Sequence, residues 1–83
     1  MLTGPGRTVM WEAKAVPGRA DELLAWASEH AAPGARVYRG GDGRVVVIDE
    51  AGTGLPDAPP ELLARPPHAW PFERVDRPAG RDG

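Results

Sequence analysis

The chain has 83 residues, enough for one domain with a thin hydrophobic core. It contains no cysteine, which excludes disulfides, thiolate metal sites and a cysteine nucleophile. Ten basic residues are interspersed among twelve acidic ones, and the formal net charge of -2 argues against nucleic acid or an anionic membrane as a partner. There is no long apolar run and no signal-peptide pattern, so we expect a cytoplasmic protein with no membrane partner.

The first two elements are a strand and a helix. The stretch TVMWEAKAV alternates in a way that is typical of a strand, with one apolar face formed by Val9, Trp11, Ala13 and Ala15. Pro17-Gly18 ends this strand. Apolar residues then recur at helical spacing, and Asp21 lies in the first turn, where the helix dipole favours a negative charge. This pattern predicts a helix over residues 20–31.

The stretch RVYRGGDGRVVVIDE predicts a β-hairpin. Asp42-Gly43 favours a two-residue type I′ turn, which would set Arg36 opposite Asp49. A four-residue loop would instead set Arg39 against Arg44, and like charges directly opposite each other are unfavourable. In the two-residue register one face carries Val37, Val46 and Ile48, and the other carries Tyr38, Val45 and Val47 beside the Arg36-Asp49 pair.

The remaining elements complete an α+β fold. Asp57 can cap a short second helix that ends by about Arg65. In HAWPFERV, Pro71 cannot donate a ladder hydrogen bond, which places this last strand at a sheet edge. The order strand, helix, strand, strand, helix, strand over residues 8–76 is the ferredoxin-like βαββαβ pattern with a four-stranded antiparallel sheet. Residues 1–7 and 77–83 are rich in Gly, Pro and charge, and we expect flexible termini there.

Two helices cover only one face of such a sheet. On the other face Val45, Val47, Tyr38 and Met10 would contact water unless a second copy of the chain covered them. The sequence therefore predicts a homodimer in which sheet faces sheet.

Residues 8–50 resemble the front half of the dimeric α/β-barrel superfamily, particularly the small antibiotic biosynthesis monooxygenase-like proteins. The resemblance consists of a strand, a Pro-Gly break, a helix, a second Pro-Gly, and a hairpin whose return strand ends in acidic residues. It implies a ferredoxin-like subunit, a homodimeric α/β barrel and a cavity for a small organic molecule. Some members of this superfamily oxidise polyketide-type aromatics without a cofactor, and others degrade haem.

The polar residues form no familiar catalytic or metal-binding motif. His30 and His68 have no carboxylate or second histidine at ligand spacing, so the sequence predicts no metal site and no cofactor. Glu12, Asp49 and Glu50 could include a general base if one of them were desolvated. We interpret these three acids as a salt-linked end of the sheet.

All the aromatic residues lie on predicted elements: Trp11, Trp26, Tyr38, Trp70 and Phe72. Large aromatic side chains commonly fill a thin core. The alternative is that they line a cavity for a flat apolar ligand, in which Tyr38, Arg36 or His30 orients the polar group of the ligand. If the protein is an enzyme, Tyr38 and His30 are the candidate proton-handling groups.

Three hypotheses for function follow from these observations. The first is a small homodimeric protein of unknown reaction that binds an apolar or aromatic small molecule. The second is a cofactor-independent monooxygenase-like enzyme acting on an aromatic metabolite. The third is a regulatory or interaction module that adds an edge strand to a partner.

Overall fold

The computed structural model of the protein describes residues 7–75, which form one helix and one sheet. The elements in chain order are β1 (Thr8–Lys14), α1 (Ala20–His30), β2 (Arg36–Arg39), β3 (Arg44–Asp49), a single 3₁₀ turn at Pro60–Leu62, and β4 (His68–Phe72). The predicted α+β class and the predicted helix are therefore confirmed. The predicted flexible termini lie outside the described residues, apart from Arg7.

The sheet has four strands in the order β2-β3-β1-β4, and each neighbouring pair is antiparallel. β4 lies at one edge, as Pro71 predicts. Pro71 stands opposite Val9 in the β1-β4 ladder, where its missing N–H faces away from the sheet and no ladder bond is lost.

α1 packs against β2 and β3 on one face of the sheet. Leu23 and Ala27, one turn apart, are fully buried against the strands. At the start of the helix the Arg19 side chain donates a hydrogen bond to Glu22, which lowers the pKa of that carboxyl, and the favourable charge interaction adds to the effect. Through Leu23 and Ala27 the helix covers one face of the sheet.

The core of residues 7–75 lies between α1 and the sheet. Its buried residues are Trp11, Ala13, Ala15, Leu23, Ala27, Val45, Val47, Ala58 and Leu62. The predicted apolar face of β1 is confirmed, because Trp11, Ala13 and Ala15 all belong to this core.

The predicted second helix is wrong. One 3₁₀ turn at Pro60–Leu62 stands in its place, and the chain is extended on both sides of it. Prolines at 56, 59, 60, 66 and 67 explain this, because proline supplies no N–H and disfavours helical dihedrals in the residue before it. Leu62 still belongs to the core, so the segment contributes to the core without being helical.

The predicted hairpin register is also wrong, although its turn is right. Asp42 and Gly43 both have positive φ, 60° and 74°, and the N–H of Arg44 donates to the carbonyl of Gly41, as in a type I′ turn. However, the N–H of Gly40, rather than that of Gly41, donates to the carbonyl of Arg44 at 2.8 Å. Two residues of one strand thus stand opposite one residue of the other, which is a β-bulge.

Because of the bulge, the pairing register of β2 with β3 is shifted by one residue from the predicted register. Val37 pairs with Val47 and Arg36 pairs with Ile48, so no Arg36-Asp49 pair forms. Because a one-residue shift exchanges the two faces of a strand, Val37 joins Val45 and Val47 on the helix face. The prediction that Val45 and Val47 lie on the sheet face left for a second copy of the chain is wrong, because both are buried in the core.

Candidate functional site

The face of the sheet turned away from α1, which we call the open face, forms the candidate site. Its apolar side chains are those of Met10, Tyr38, Val46, Ile48, Trp70 and Phe72, by the alternation of each strand and the observed register. Within residues 7–75, α1 and the 3₁₀ turn both pack on the opposite side. The open face is consequently an apolar surface that spans all four strands.

Aromatic residues on the two edge strands remain exposed. Tyr38 on β2 is 47% exposed, and Trp70 and Phe72 on β4 are 38% and 50% exposed. The rings of Trp70 and His68, two residues apart on the same side of β4, are stacked with centroids 5.5 Å apart. Single exposed apolar residues are common on proteins, whereas a contiguous set of this kind marks an interaction surface.

Smaller side chains occupy the centre of the open face. Met10 on β1 stands opposite Ile48 on β3 and Trp70 on β4, and Val46 lies one row below Ile48. All three aliphatic residues are partly buried by their neighbours. The relief of the surface is therefore low along the central strands and higher at both edges.

The open face also carries an excess of positive charge. The strands place Lys14, Arg36 and Arg44 there, against a single carboxylate, Glu12. Arg44 Nε lies 2.8 Å from Glu12 Oε2, so this pair is neutralised. Among the described residues neither Lys14 nor Arg36 has a carboxylate within 4.0 Å. The surface is thus basic, although the chain as a whole carries a net charge of -2.

The structure divides the predicted ligand-binding aromatics between the two faces. Tyr38, Trp70 and Phe72 lie on the open face, while Trp11 and Trp26 lie on the helix side with centroids 6.0 Å apart. The two candidate proton-handling residues are separated in the same way: Tyr38 is on the open face and His30 is on α1. His30 stacks on Trp26, and its Nδ1 lies 2.9 Å from the carbonyl oxygen of Trp26.

A cleft lies on the helix side of the sheet, between β4 and the proline-rich segment (residues 55–67). This cleft has a volume of about 540 Å³, within the range of small-molecule sites. Trp11 lies at its base, four prolines stand along its walls, and Asp57 and Arg65 are its charged residues. Neither Tyr38 nor His30 lines this cleft.

The three acids considered as a general base have separate structural roles. Asp49 is only 2% exposed and accepts hydrogen bonds from the backbone N–H groups of Ala51, Thr53 and Gly54. Glu12 is paired with Arg44, as described above. Glu50 lies 3.4 Å from Arg74 at the surface. Glu12 and Glu50 thus form salt bridges, as the prediction of a salt-linked sheet end requires, whereas Asp49 holds a loop and has no ion-pair partner among residues 7–75.

Sequence reasoning missed Val46, Ile48 and His68 as members of the open face. Val46 and Ile48 were predicted to share a face with Val37, and only the bulge at Gly40-Gly41 separates them. For His68 the sequence predicted only that it binds no metal, and gave no position on the sheet. The alternation of HAWPF could have indicated it, because His68, Trp70 and Phe72 share a face whenever β4 is extended.

Comparison of the chain with protein-family models, with curated proteins and with solved structures gave no match. The resemblance to the dimeric α/β-barrel superfamily therefore stays a prediction. Over residues 7–75 no three His, Asp or Glu side chains converge as a metal site would require. The same residues contain no helix of the length and hydrophobicity needed to cross a bilayer.

Proposed function

We propose that the protein is a small homodimeric binding protein in which the open faces of two subunits pack against each other around an apolar small molecule. The observation that carries this proposal is the exposure of Tyr38, Trp70 and Phe72 on a sheet face that also presents Met10 and Ile48. A second copy of the chain can cover the open face, because it presents an apolar face of the same size.

The strand order supports a ferredoxin-like subunit. In the βαββαβ pattern the first and third strands are central and the second and fourth form the edges. The observed order, β2-β3-β1-β4, has the same arrangement. The 3₁₀ turn at Pro60–Leu62 then stands where the second helix of that pattern would lie.

The size of the open face suits a weak, reversible dimer. Four strands spaced by about 4.8 Å and about 20 Å long give a flat area of about 400 Å². Side-chain relief raises the accessible surface above that figure, so two faces would bury about 1,000 Å² in total, near the lower limit for a specific interface. We therefore expect a dimer that dissociates at micromolar concentration.

The relief of the open face favours a cavity inside this dimer. Packed sheets are separated by about 10 Å, and side chains from both inner faces fill that distance. Here the large rings of Tyr38, Trp70 and Phe72 stand at the edges, while Met10, Val46 and Ile48 are shorter. When two such faces meet, the edge rings hold the centres apart and leave an apolar space for a ligand.

The sheet edges offer less to a partner strand. Pro71 removes one outward donor from the edge of β4, and β2 has only four residues. The face of the sheet is therefore the better candidate for an interface than its edges.

Sedimentation equilibrium over a range of protein concentrations tests the proposal. The wild-type chain should show a reversible transition from 8.8 kDa to twice that mass. Trp70→Glu and Phe72→Glu each place a negative charge on the β4 edge of the open face, at the opposite side of the sheet from Arg36, and should weaken the dimer at least tenfold. Ala25→Glu adds the same charge at an exposed position of α1 and should leave the dimer unchanged.

Circular dichroism of each variant separates loss of the dimer from loss of the fold. A wild-type chain that stays monomeric at high concentration would refute the proposal. A dimer that Ala25→Glu weakens as much as Phe72→Glu does would place the interface elsewhere.

A further inference from the structure

Two cations of the open face, Lys14 and Arg36, have no carboxylate partner among residues 7–75, and they bear directly on the proposed dimer. We propose that a small organic anion with an apolar body binds between the two open faces, and that its binding is coupled to dimerisation. This inference rests on the proposed function, because it requires that the open faces meet.

Self-association concentrates like charges. Lys14 and Arg36 lie at the margins of the apolar centre, and in the described part of the chain no carboxylate pairs with either. A two-fold axis doubles this excess within a gap of about 10 Å that is lined mostly by apolar groups. Partly desolvated like charges repel each other, so the dimer without a ligand is weakened by its own cations.

Arg44 differs from Lys14 and Arg36 because it has a carboxylate partner. It lies on the same face, yet Glu12 neutralises it at 2.8 Å, and the Glu12 side chain is largely buried. Within residues 7–75 a carboxylate therefore neutralises one of the three cations on this face, and Lys14 and Arg36 stay available. An anion bound between the subunits would complete the compensation.

The positions of the cations define the chemistry of the ligand. Arg36 stands in the same cross-strand row as Ile48, Met10 and Trp70, at the β2 end of that row. An apolar body can therefore lie on the aliphatic centre while its carboxylate or sulfonate reaches Arg36 of one subunit. Guanidinium and carboxylate form charge-assisted, bidentate hydrogen bonds in such a site.

A small molecule suits this surface better than single-stranded nucleic acid does. Successive bases stack on successive aromatic side chains. On the open face the two central strands offer Met10, Val46 and Ile48, and the aromatic rings are divided between opposite edges. The centre thus accommodates one apolar body and lacks a continuous stacking platform.

Thermodynamic linkage makes the inference measurable. If the anion binds the dimer more tightly than the monomer, saturating anion must lower the dimer dissociation constant by the corresponding factor. Naphthalene-2-carboxylate is a suitable probe, and naphthalene-2-carboxamide is its uncharged counterpart. At saturating carboxylate and constant ionic strength, we expect the dimer dissociation constant to fall at least tenfold, and the carboxamide to change it less than threefold.

The double variant Lys14→Gln/Arg36→Gln supplies the decisive comparison. Without any ligand it should form a tighter dimer than the wild-type chain, because the repulsion is removed, and it should lose its response to the carboxylate. Arg39→Gln removes a cation from the helix face of β2, where Arg39 is paired with Asp21, and should keep the wild-type response.

The outcomes separate this inference from the proposed function. A wild-type dimer that responds equally to the carboxylate and the carboxamide, or a double variant that dimerises no better than the wild type, would overturn the anion linkage while leaving the dimer in place. A chain that stays monomeric with and without the probe, in the wild type and in the double variant, would overturn both. Binding of an eight-nucleotide single strand to the monomer, lost in the double variant, would also overturn the inference.

Discussion

The carboxylate of Asp49 accepts a hydrogen bond from the backbone N–H of Gly54, five residues further along the chain, at 3.1 Å. The same carboxylate accepts from Ala51 and Thr53, so one buried side chain satisfies three backbone donors of the loop that follows β3. Asp49→Ala removes all three bonds, and we expect the free energy of unfolding to fall by about 2–4 kcal/mol. Urea denaturation measures this loss.

Asp49→Asn is the conservative comparison. The amide keeps one acceptor oxygen, so the expected loss is smaller than that of Asp49→Ala, about 1–2 kcal/mol. Asp57→Ala, at an exposed position of the proline-rich segment, should change stability by no more than about 0.5 kcal/mol. Equal effects of Asp49→Ala and Asp57→Ala would show that the hydrogen bonds of Asp49 do not hold the loop.

Gly52 and Gly54 form a matched pair in the same loop. Both have positive φ, 76° and 77°, so alanine at either position incurs the strain of the left-handed region, about 1–2 kcal/mol. At Gly52 a Cβ atom would also lie 2.6 Å from the carbonyl oxygen of Arg7, whereas at Gly54 it would meet nothing within 4 Å. Gly52→Ala should therefore be more destabilising than Gly54→Ala by at least about 1 kcal/mol.

Thermal or urea unfolding of the two glycine variants tests this contrast. Equal losses would mean that the chain before β1 moves away from Gly52 without cost, and that the close approach to Arg7 contributes nothing to stability.

The tryptophans on the two faces of the sheet should differ in what they stabilise. Trp11 is buried in the core beside Trp26, so Trp11→Ala should cost about 3–5 kcal/mol of unfolding free energy. Trp70 lies on the open face, and Trp70→Ala should cost less than about 1 kcal/mol when the protein is dilute enough to be monomeric. At high concentration Trp70→Ala should weaken the dimer. A large loss of monomer stability in Trp70→Ala would show that this ring belongs to the intramolecular core.

Local periodicity was sufficient to predict β1 and α1. The alternation around Trp11 and the helical spacing of Leu23 and Ala27 each lie within one element. Each pattern therefore predicts which residues of its element are buried. The second helix could not be predicted in this way, because a capping residue and two leucines indicated a helix that the surrounding prolines do not allow.

The open face depends on relations between strands, which periodicity does not contain. Met10 and Tyr38 were correctly expected there, but Val46 and Ile48 were assigned to the covered face. Nothing within β3 distinguishes its two sides, since both are apolar. The side that faces α1 follows from the pairing of Trp11 with Val47, and that pairing is tertiary.

The bulge at Gly40-Gly41 leads to a test by deletion. Removing Gly41 leaves Gly40 directly before the Asp42-Gly43 turn, so an ordinary two-residue hairpin would then produce the observed pairing of Val37 with Val47 without any bulge. We expect this deletion to change the unfolding free energy by less than about 1 kcal/mol and to preserve the Val37-Val47 contact in nuclear Overhauser spectra. The deletion of Tyr38, within the same strand, should instead be strongly destabilising, because it exchanges the faces of the residues that precede it. If the deletion of Gly41 exposed Val37 and lowered stability by several kcal/mol, the native hairpin would have to lack the bulge, and the assignment of Tyr38 to the open face would fail with it.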